Sequence, residues 1–436
     1  MNSLAQLREM ARLCREQERW RGQTLNLIAS ENVLSAAARA LVDTDFHHRY
    51  AEGHPGERYY EGTRFIDAVE RNARLIVEEI FRADRADVRL PSGTMANEAV
   101  FAALLAEGGV ALAHGVAGGG HISHASFGAL GKHATKIVEL PLAQNGFHLD
   151  VEGARALLRR ERPRLVVLGR SLFLFPEPVA DLRPVCDEVG ASIVYDASHV
   201  LGLIAGGEFQ DPLAEGADVL TASTHKTYFG PQRGLVIARN KSDEFWKPID
   251  RAVFPGVTSN HHLFTLPALY AASLEMREFG GDYARSVVAN ARAFAHGLHR
   301  RGFNVAAAAL GYTSSHQVAV DVGDLGGGQS VARRLCENGV ICNMNLLPGE
   351  PRKNARNPRG LRFGVQEMTR FGMGVDAMDR IAQIVHDCLV GGKAVSGECR
   401  RLREEHPEIR YAFSLDDLAR AEAPLPDTTA TRVRAT

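Results

Sequence analysis

No apolar run in this chain approaches the ~18 residues that a membrane-crossing helix needs. A surplus of charge is missing too: 51 Lys and Arg against 52 Asp and Glu give a formal net charge of -1. A general nucleic-acid binder would show a basic excess, so that class is set aside. The basic run P-R-K-N-A-R-N-P-R-G at 351–360 reads as a solvated loop or a local anion contact. Cys14, Cys186, Cys336, Cys342, Cys388 and Cys399 contain no C-x-x-C pair and no regular spacing. That excludes a disulfide framework or a zinc site and leaves scattered thiols, with no metal expected. No internal repeat is present. The N-terminus is charged throughout, unlike a secretion signal, so a cytoplasmic protein with no membrane or nucleic-acid partner is expected.

What is present is ordinary globular composition: 436 residues, 45% hydrophobic and 24% charged, enough for about two or three domains. Residues 1–45 form an N-terminal segment whose Leu4, Leu7, Met10, Ala11 and Cys14 recur at helical spacing. Such a greasy face needs a surface to cover, in its own subunit or a neighbour's. Residues 46–280 alternate short apolar runs with amphipathic stretches, which predicts an α/β domain with a mostly parallel sheet. The strands are predicted at Val88–Leu90, Val110–Ala113, Lys136–Glu139, Arg164–Leu168, Ser192–Tyr195, Val219–Ala222 and Gly234–Ala238. Residues 281–420 read as a smaller α+β domain with strands in H-Q-V-A-V-D-V and L-R-F-G-V. G-G-G at 326–328 reads as a loop there, and 421–436 as a disordered tail.

Chemistry concentrates in five places. Lys226, in S-T-H-K-T-Y-F-G-P-Q-R-G, follows a predicted strand. An isolated lysine there would be a surface residue, but a buried one with a lowered pKa captures aldehydes. Asp196 ends S-I-V-Y-D, and ligands gather at the carboxyl ends of strands in open α/β sheets. A carboxylate there can hold a pyridine nitrogen protonated; the same residue could instead cap a helix over A-S-H-V-L-G-L. Ser92, Gly93 and Thr94 precede a helix whose free N–H groups and dipole suit a phosphate. His121 could stack on a ring or be structural. Arg362 has the planar fork that a substrate carboxylate calls for. Lysine, carboxylate and phosphate turn together are the parts that hold pyridoxal 5'-phosphate, so an enzyme acting on an amino acid is expected.

In order along the chain, N-L-I-A-S-E-N, Y-A-E-G-H-P-G-E-R-Y-Y-E-G, S-G-T-M-A-N, G-G-H-I-S-H, Y-D-A-S-H, T-H-K-T and G-L-R-F-G resemble serine hydroxymethyltransferase. The resemblance implies a fold-type I pyridoxal-phosphate enzyme. In it Lys226 would bond to the cofactor aldehyde, Asp196 would pair with the ring nitrogen, and His121 would stack on the ring. His199 would lie near the phenolic oxygen. Ser92, Gly93 and Thr94 would bind the phosphate, with His225 beside the lysine and Ser171 also at the cofactor. Ser30 and Arg362 would grip the amino-acid carboxylate. Tyr50, Glu52 and Tyr60 would enter from the other subunit of a homodimer, Glu52 moving the proton of the substrate hydroxyl.

The departures from that family have a direction. Gln232 stands in G-P-Q-R-G where an arginine is usual, and S-L-F-L-F-P, F-P-G-V-T-S-N-H, T-S-S-H-Q and G-V-Q-E-M-T-R replace family motifs. Folate positions are mixed: Glu52, Tyr59 and Gly120 persist, while Val116 and Ile122 stand where leucines are usual. These features, with Y-A-F-S-L-D-D-L at 411–418, resemble the L-threonine transaldolases, a natural-product branch linked to antibiotic pathways. That implies retro-aldol cleavage of L-threonine to acetaldehyde. The glycyl carbanion left behind would add to a second aldehyde, a nucleoside aldehyde being one option, to give a β-hydroxy-α-amino acid. The apolar 171–176 segment, Phe173 included, would help keep that site dry. The alternative is serine hydroxymethyl transfer to tetrahydrofolate.

Overall fold

The computed structural model describes residues 2–422; of the tail expected at 421–436, positions 423–436 lie outside the described residues. Seven strands form one sheet in the order Arg85–Asp87, Gly234–Ala238, Val219–Ser223, Ser192–Asp196, Leu165–Leu168, Val110–Ala113, Lys136–Glu139. The last five pair in parallel, and Gly234–Ala238 runs antiparallel to both of its neighbours. The first strand falls on Arg85–Asp87 and not on the predicted Val88–Leu90. The reason is local: the Val88 carbonyl is taken by the Arg233 guanidinium, at 3.1 and 2.6 Å, instead of by a neighbouring strand.

Central strands of a parallel sheet are covered on both faces and so read as continuous apolar runs. Leu165 and Val167 pack into one core and Val166 and Leu168 into the other, the period-two alternation of a strand. Helix Gly93–Leu104 covers the first face through Phe101 and Val100, while helix Leu266–Arg300 covers the second through Leu269, Tyr283 and Phe294.

Helix Leu266–Arg300 runs on into the C-terminal part, where Asn304–Val305, Gln317–Asp321, Gly360–Gly364 and Asn343–Asn345 form an antiparallel four-stranded sheet. The G-G-G stretch is a turn: Gly326 and Gly327 have φ of 102° and 87°, and a helix starts at Gly328. The N-terminal segment joins this part through Leu25–Asn26, parallel to Val340–Ile341. Ahead of it, helix Ser3–Arg21 buries no residue, and Leu4, Leu7 and Met10 are each more than half exposed. No helix among the described residues is long and apolar enough to cross a membrane.

Candidate active site

Lys226, Asp196, Ser171 and His121 all follow parallel strands at their carboxyl ends, as the topology of an open α/β sheet directs. A cavity of about 360 Å³ opens there, lined by Ser30, His121, Ser171, His199, Lys226 and Arg362 among others. Arg362 reaches it from strand Gly360–Gly364 of the smaller sheet, and Ser30 from the N-terminal segment.

Lys226 is buried, and burial with the nearby Arg362 charge lowers its ammonium pKa to about 8, against the opposing pull of Asp196. Its backbone oxygen accepts a 2.7 Å bond from Asn32 Nδ2. Asp196 lies beneath. Burial alone would favour its neutral form, but His124 Nε2 at 3.0 Å and Asn97 Nδ2 at 2.8 Å hold it ionised, well below the usual carboxylate range. The helix-cap alternative fails, because the following helix begins only at Leu201, behind Val200. Asp196 instead accepts from the Ser198 N–H at 3.0 Å. Asn97 and His124 were not foreseen. Asn97 is placed by helix Gly93–Leu104 and is fixed in turn by Thr221 Oγ1, which donates to its Oδ1 at 2.6 Å. His121, His124 and Asp196 each offer a donor atom within 4.8 Å of the others, but the His124–Asp196 bond already engages two of them.

Ser92 caps the helix, its Oγ accepting from Met95 N at 3.2 Å. At Gly93 a Cβ would stand 2.3 Å from Ser223 Oγ, so only glycine lets the helix start approach the Lys226 loop this closely. Thr94 is exposed at the helix start. His225 is partly buried, and burial lowers its pKa to about 4; its buried Nδ1 has no partner.

Arg362 is buried, and burial lowers its pKa to about 10. Its Nη1 donates to Ser171 O at 2.6 Å and its Nε to Asn343 Oδ1 at 3.3 Å. Among the described residues it has no carboxylate partner. The Ser30 segment is pinned from behind: Gln366 Nε2 donates to Ile28 O and Glu31 O, both at 2.7 Å, and His316 Nε2 donates to Ala29 O at 3.0 Å. His199 meets Gln317 Nε2 through its Nδ1 at 2.9 Å. Burial lowers the pKa of His121 to about 4 and depresses that of His199 strongly.

One expectation meets a different geometry. Phe173 does not line the cavity; it is fully buried, edge-on to Phe209 at 5.6 Å and beside Tyr195 at 6.0 Å. Extended alternation sends Phe173 into the main core and Leu172 and Leu174 to a small cluster with Ala319. Tyr50, Glu52 and Tyr60 do not line the cavity of their own chain either. They sit on a turn braced by Arg58, which binds Asp67 at 2.8 Å and Glu70 at 2.7 Å, and both tyrosine rings are exposed. Conversely the basic loop is not wholly solvated, since its Ala355 and Pro358 form part of the cavity wall.

The donor set fits pyridoxal phosphate on this geometry. A buried anion at Asp196 would suit a pyridinium, a buried low-pKa amine would suit an aldehyde, and a glycine-cleared helix start beside Ser223 would suit a phosphate.

The comparisons agree. The serine hydroxymethyltransferase family model matches residues 5–385. The serine hydroxymethyltransferase of Methanosphaera stadtmanae is 44% identical over 413 residues, covering 95% of this chain and 97% of that one. That of Pyrococcus horikoshii is 46% identical over 404 residues, covering 91% and 95%. An L-threonine transaldolase structure from Pseudomonas fluorescens matches with a TM-score of 0.87 at 28% identity, covering 96% and 97%. With residues 5–385 matched by the family model and relatives 44% and 46% identical over most of its length, the chain belongs to the serine hydroxymethyltransferase family of pyridoxal-phosphate-dependent transferases.

Proposed function

We propose that the chain breaks the Cα–Cβ bond of serine, passing the β-carbon to tetrahydrofolate as a methylene group with loss of water while Cα takes a proton to give glycine. The observation that carries the amino-acid reading is Arg362, a buried cation that has no acidic partner among the described residues and faces the same cavity as Lys226. The acceptor is supported by relatives 44% and 46% identical that bear the hydroxymethyltransferase name. Threonine transaldolase becomes the second reading, supported by the likeness of fold to the Pseudomonas fluorescens enzyme. Identity supports the first more, at 44% and 46% against 28%.

Bound pyridoxal phosphate supplies an electron sink for the pair left on Cα. The chain supplies the rest. Arg362 and Ser30 hold the substrate carboxylate, which orients the scissile bond. Lys226 would hold the cofactor through its aldehyde and yield that place to the substrate amine, and its burial makes the free amine easier to deprotonate than an exposed lysine. Asp196 would keep a proton on the ring nitrogen, and Val116, Ile122, Met344 and Leu346 line the cavity with apolar surface that limits water. Tyr50, Glu52 and Tyr60 would come from a second copy, with Glu52 taking the hydroxyl proton.

The test runs purified, cofactor-loaded protein on serine with tetrahydrofolate, and on L-threonine with and without a panel of aldehydes. Folate-dependent glycine formation from serine supports the first reading. Acetaldehyde release that becomes a new amino acid only when an aldehyde is added would replace it with the second.

A further inference from the structure

Gln317 is the one polar side chain in the otherwise apolar run of strand Gln317–Asp321 that is fully buried, and all of its amide is used. Its Oε1 lies 2.9 Å from Phe173 N, and its Nε2 lies 3.0 Å from Ser171 O and 2.9 Å from His199 Nδ1. The orientation of the amide follows without choice. A backbone N–H can only donate, so the group facing Phe173 must be the oxygen. A backbone carbonyl can only accept, so the group facing Ser171 must be the NH2. The NH2 is then also what faces His199, and an NH2 has no lone pair for that contact. His199 Nδ1 is therefore the acceptor and carries no proton.

His199 is buried and strongly disfavours a second proton, so it is neutral, and its single N–H sits on Nε2. Among the described residues Nε2 has no hydrogen-bond partner, while the ring lines the cavity shared by Lys226 and Arg362. His316 packs parallel to it, ring centroids 5.6 Å apart at 15°, so the ring cannot turn over without displacing a buried neighbour.

We infer that Gln317 is a positioning residue that fixes His199 as the Nε2–H tautomer, so that the cavity meets a neutral, permanent hydrogen-bond donor at this point. A neutral donor stabilises an anionic oxygen without surrendering its proton. The group it suits is an anionic oxygen in this cavity, such as the ionised ring oxygen of pyridoxal phosphate held at Lys226. The same donor serves whichever acceptor the enzyme uses, so the inference stands or falls separately from the choice between folate and aldehyde.

Nitrogen-15 NMR of histidine-labelled protein, apo and cofactor-loaded, tests it, with His199→Asn identifying the signals. The expected pattern is an unprotonated, pyridine-type Nδ1 and a protonated, pyrrole-type Nε2, in both states. In Gln317→Leu the preference is lost. The pH midpoint of the loaded protein's visible absorbance then moves upward by about one unit, because the donor no longer favours the more anionic ring form. A proton on Nδ1 of the wild-type protein overturns the inference, even if Gln317→Leu fails to fold. So does a Gln317→Leu protein that keeps the same tautomer and the same midpoint, which would leave Gln317 as packing alone.

Discussion

Arg362 Nη1 lies 2.6 Å from the backbone oxygen of Ser171, and no carboxylate of the described chain stands beside the guanidinium. A buried cation costs stability unless it is paired. On the proposed function the missing partner would be the substrate carboxylate, and stability would then be exchanged for a binding site.

Replacing Arg362 separates those two effects. Arg362→Met should lower kcat/KM for the amino acid by about 100-fold, the size of a lost charge-assisted hydrogen bond, with most of the change in KM. The same substitution should raise the melting temperature of the apoprotein, because the unpaired charge is gone. A variant that loses both activity and stability would show that Arg362 is chiefly structural.

Lys226 sets the pH dependence of cofactor capture. Only the free amine attacks an aldehyde, and burial beside Arg362 lowers the ammonium pKa to about 8. The rate at which apoprotein takes up pyridoxal phosphate should therefore rise with pH, reach half its maximum near pH 8 and level off above it. Stopped-flow absorbance checks this. A midpoint near that of free lysine, about 10.4, would mean that the amine is solvated.

Glu367 predicts a second pH effect, of opposite sign. Burial raises its carboxyl pKa to about 7, despite the bond from Asn26 Nδ2 at 2.5 Å. The folded state thus holds a proton that the unfolded chain releases near pH 4.5. Its contribution to stability is complete below that value and is lost as pH rises through 7. Glu367→Gln cannot ionise, so it should match wild type at low pH and exceed it by up to roughly 3 kcal/mol at pH 8. Denaturant melts at pH 4.5, 6 and 8 read the difference. Equal stabilities at pH 8 would show that the site is hydrated or that Arg21 and Arg403 neutralise it.

The sequence was most legible where chemistry and topology coincide. Lys226 and Asp196 could be placed because parallel strands end where ligands bind, and Val110–Ala113 and Gly234–Ala238 could be bounded because buried strands read as unbroken apolar runs. Asn97, His124 and Asn343 were not legible, because nothing local marks a polar side chain whose partner is distant in sequence. Gln317 did leave a signal, a lone amide opening an apolar strand, but its meaning needed the Phe173, Ser171 and His199 contacts. Phe173 went the other way: its apolar character was plain, yet only the register of the extended segment decides which core it enters.

The turn at 50–62 carries the remaining prediction. The Tyr50 and Tyr60 rings lie on the surface with centroids 5.0 Å apart and planes tilted by 60°, and Glu52 is close enough that its charge raises the Tyr60 pKa. Yet none of the three lines the cavity that holds Lys226. If the turn completes the site of a second copy, a Lys226→Ala chain and a Glu52→Gln chain should each be inactive alone but rescue one another when mixed. In a mixed dimer one site receives Lys226 and Glu52 both intact, and the other receives neither. Random reassociation of equal amounts makes half of the dimers mixed, so activity should recover to about 25% of wild type. Refolding the two chains together, against each refolded separately, provides the comparison. Recovery confined to background would mean that Glu52 serves its own chain or has no part in catalysis, and the proton would need another carrier.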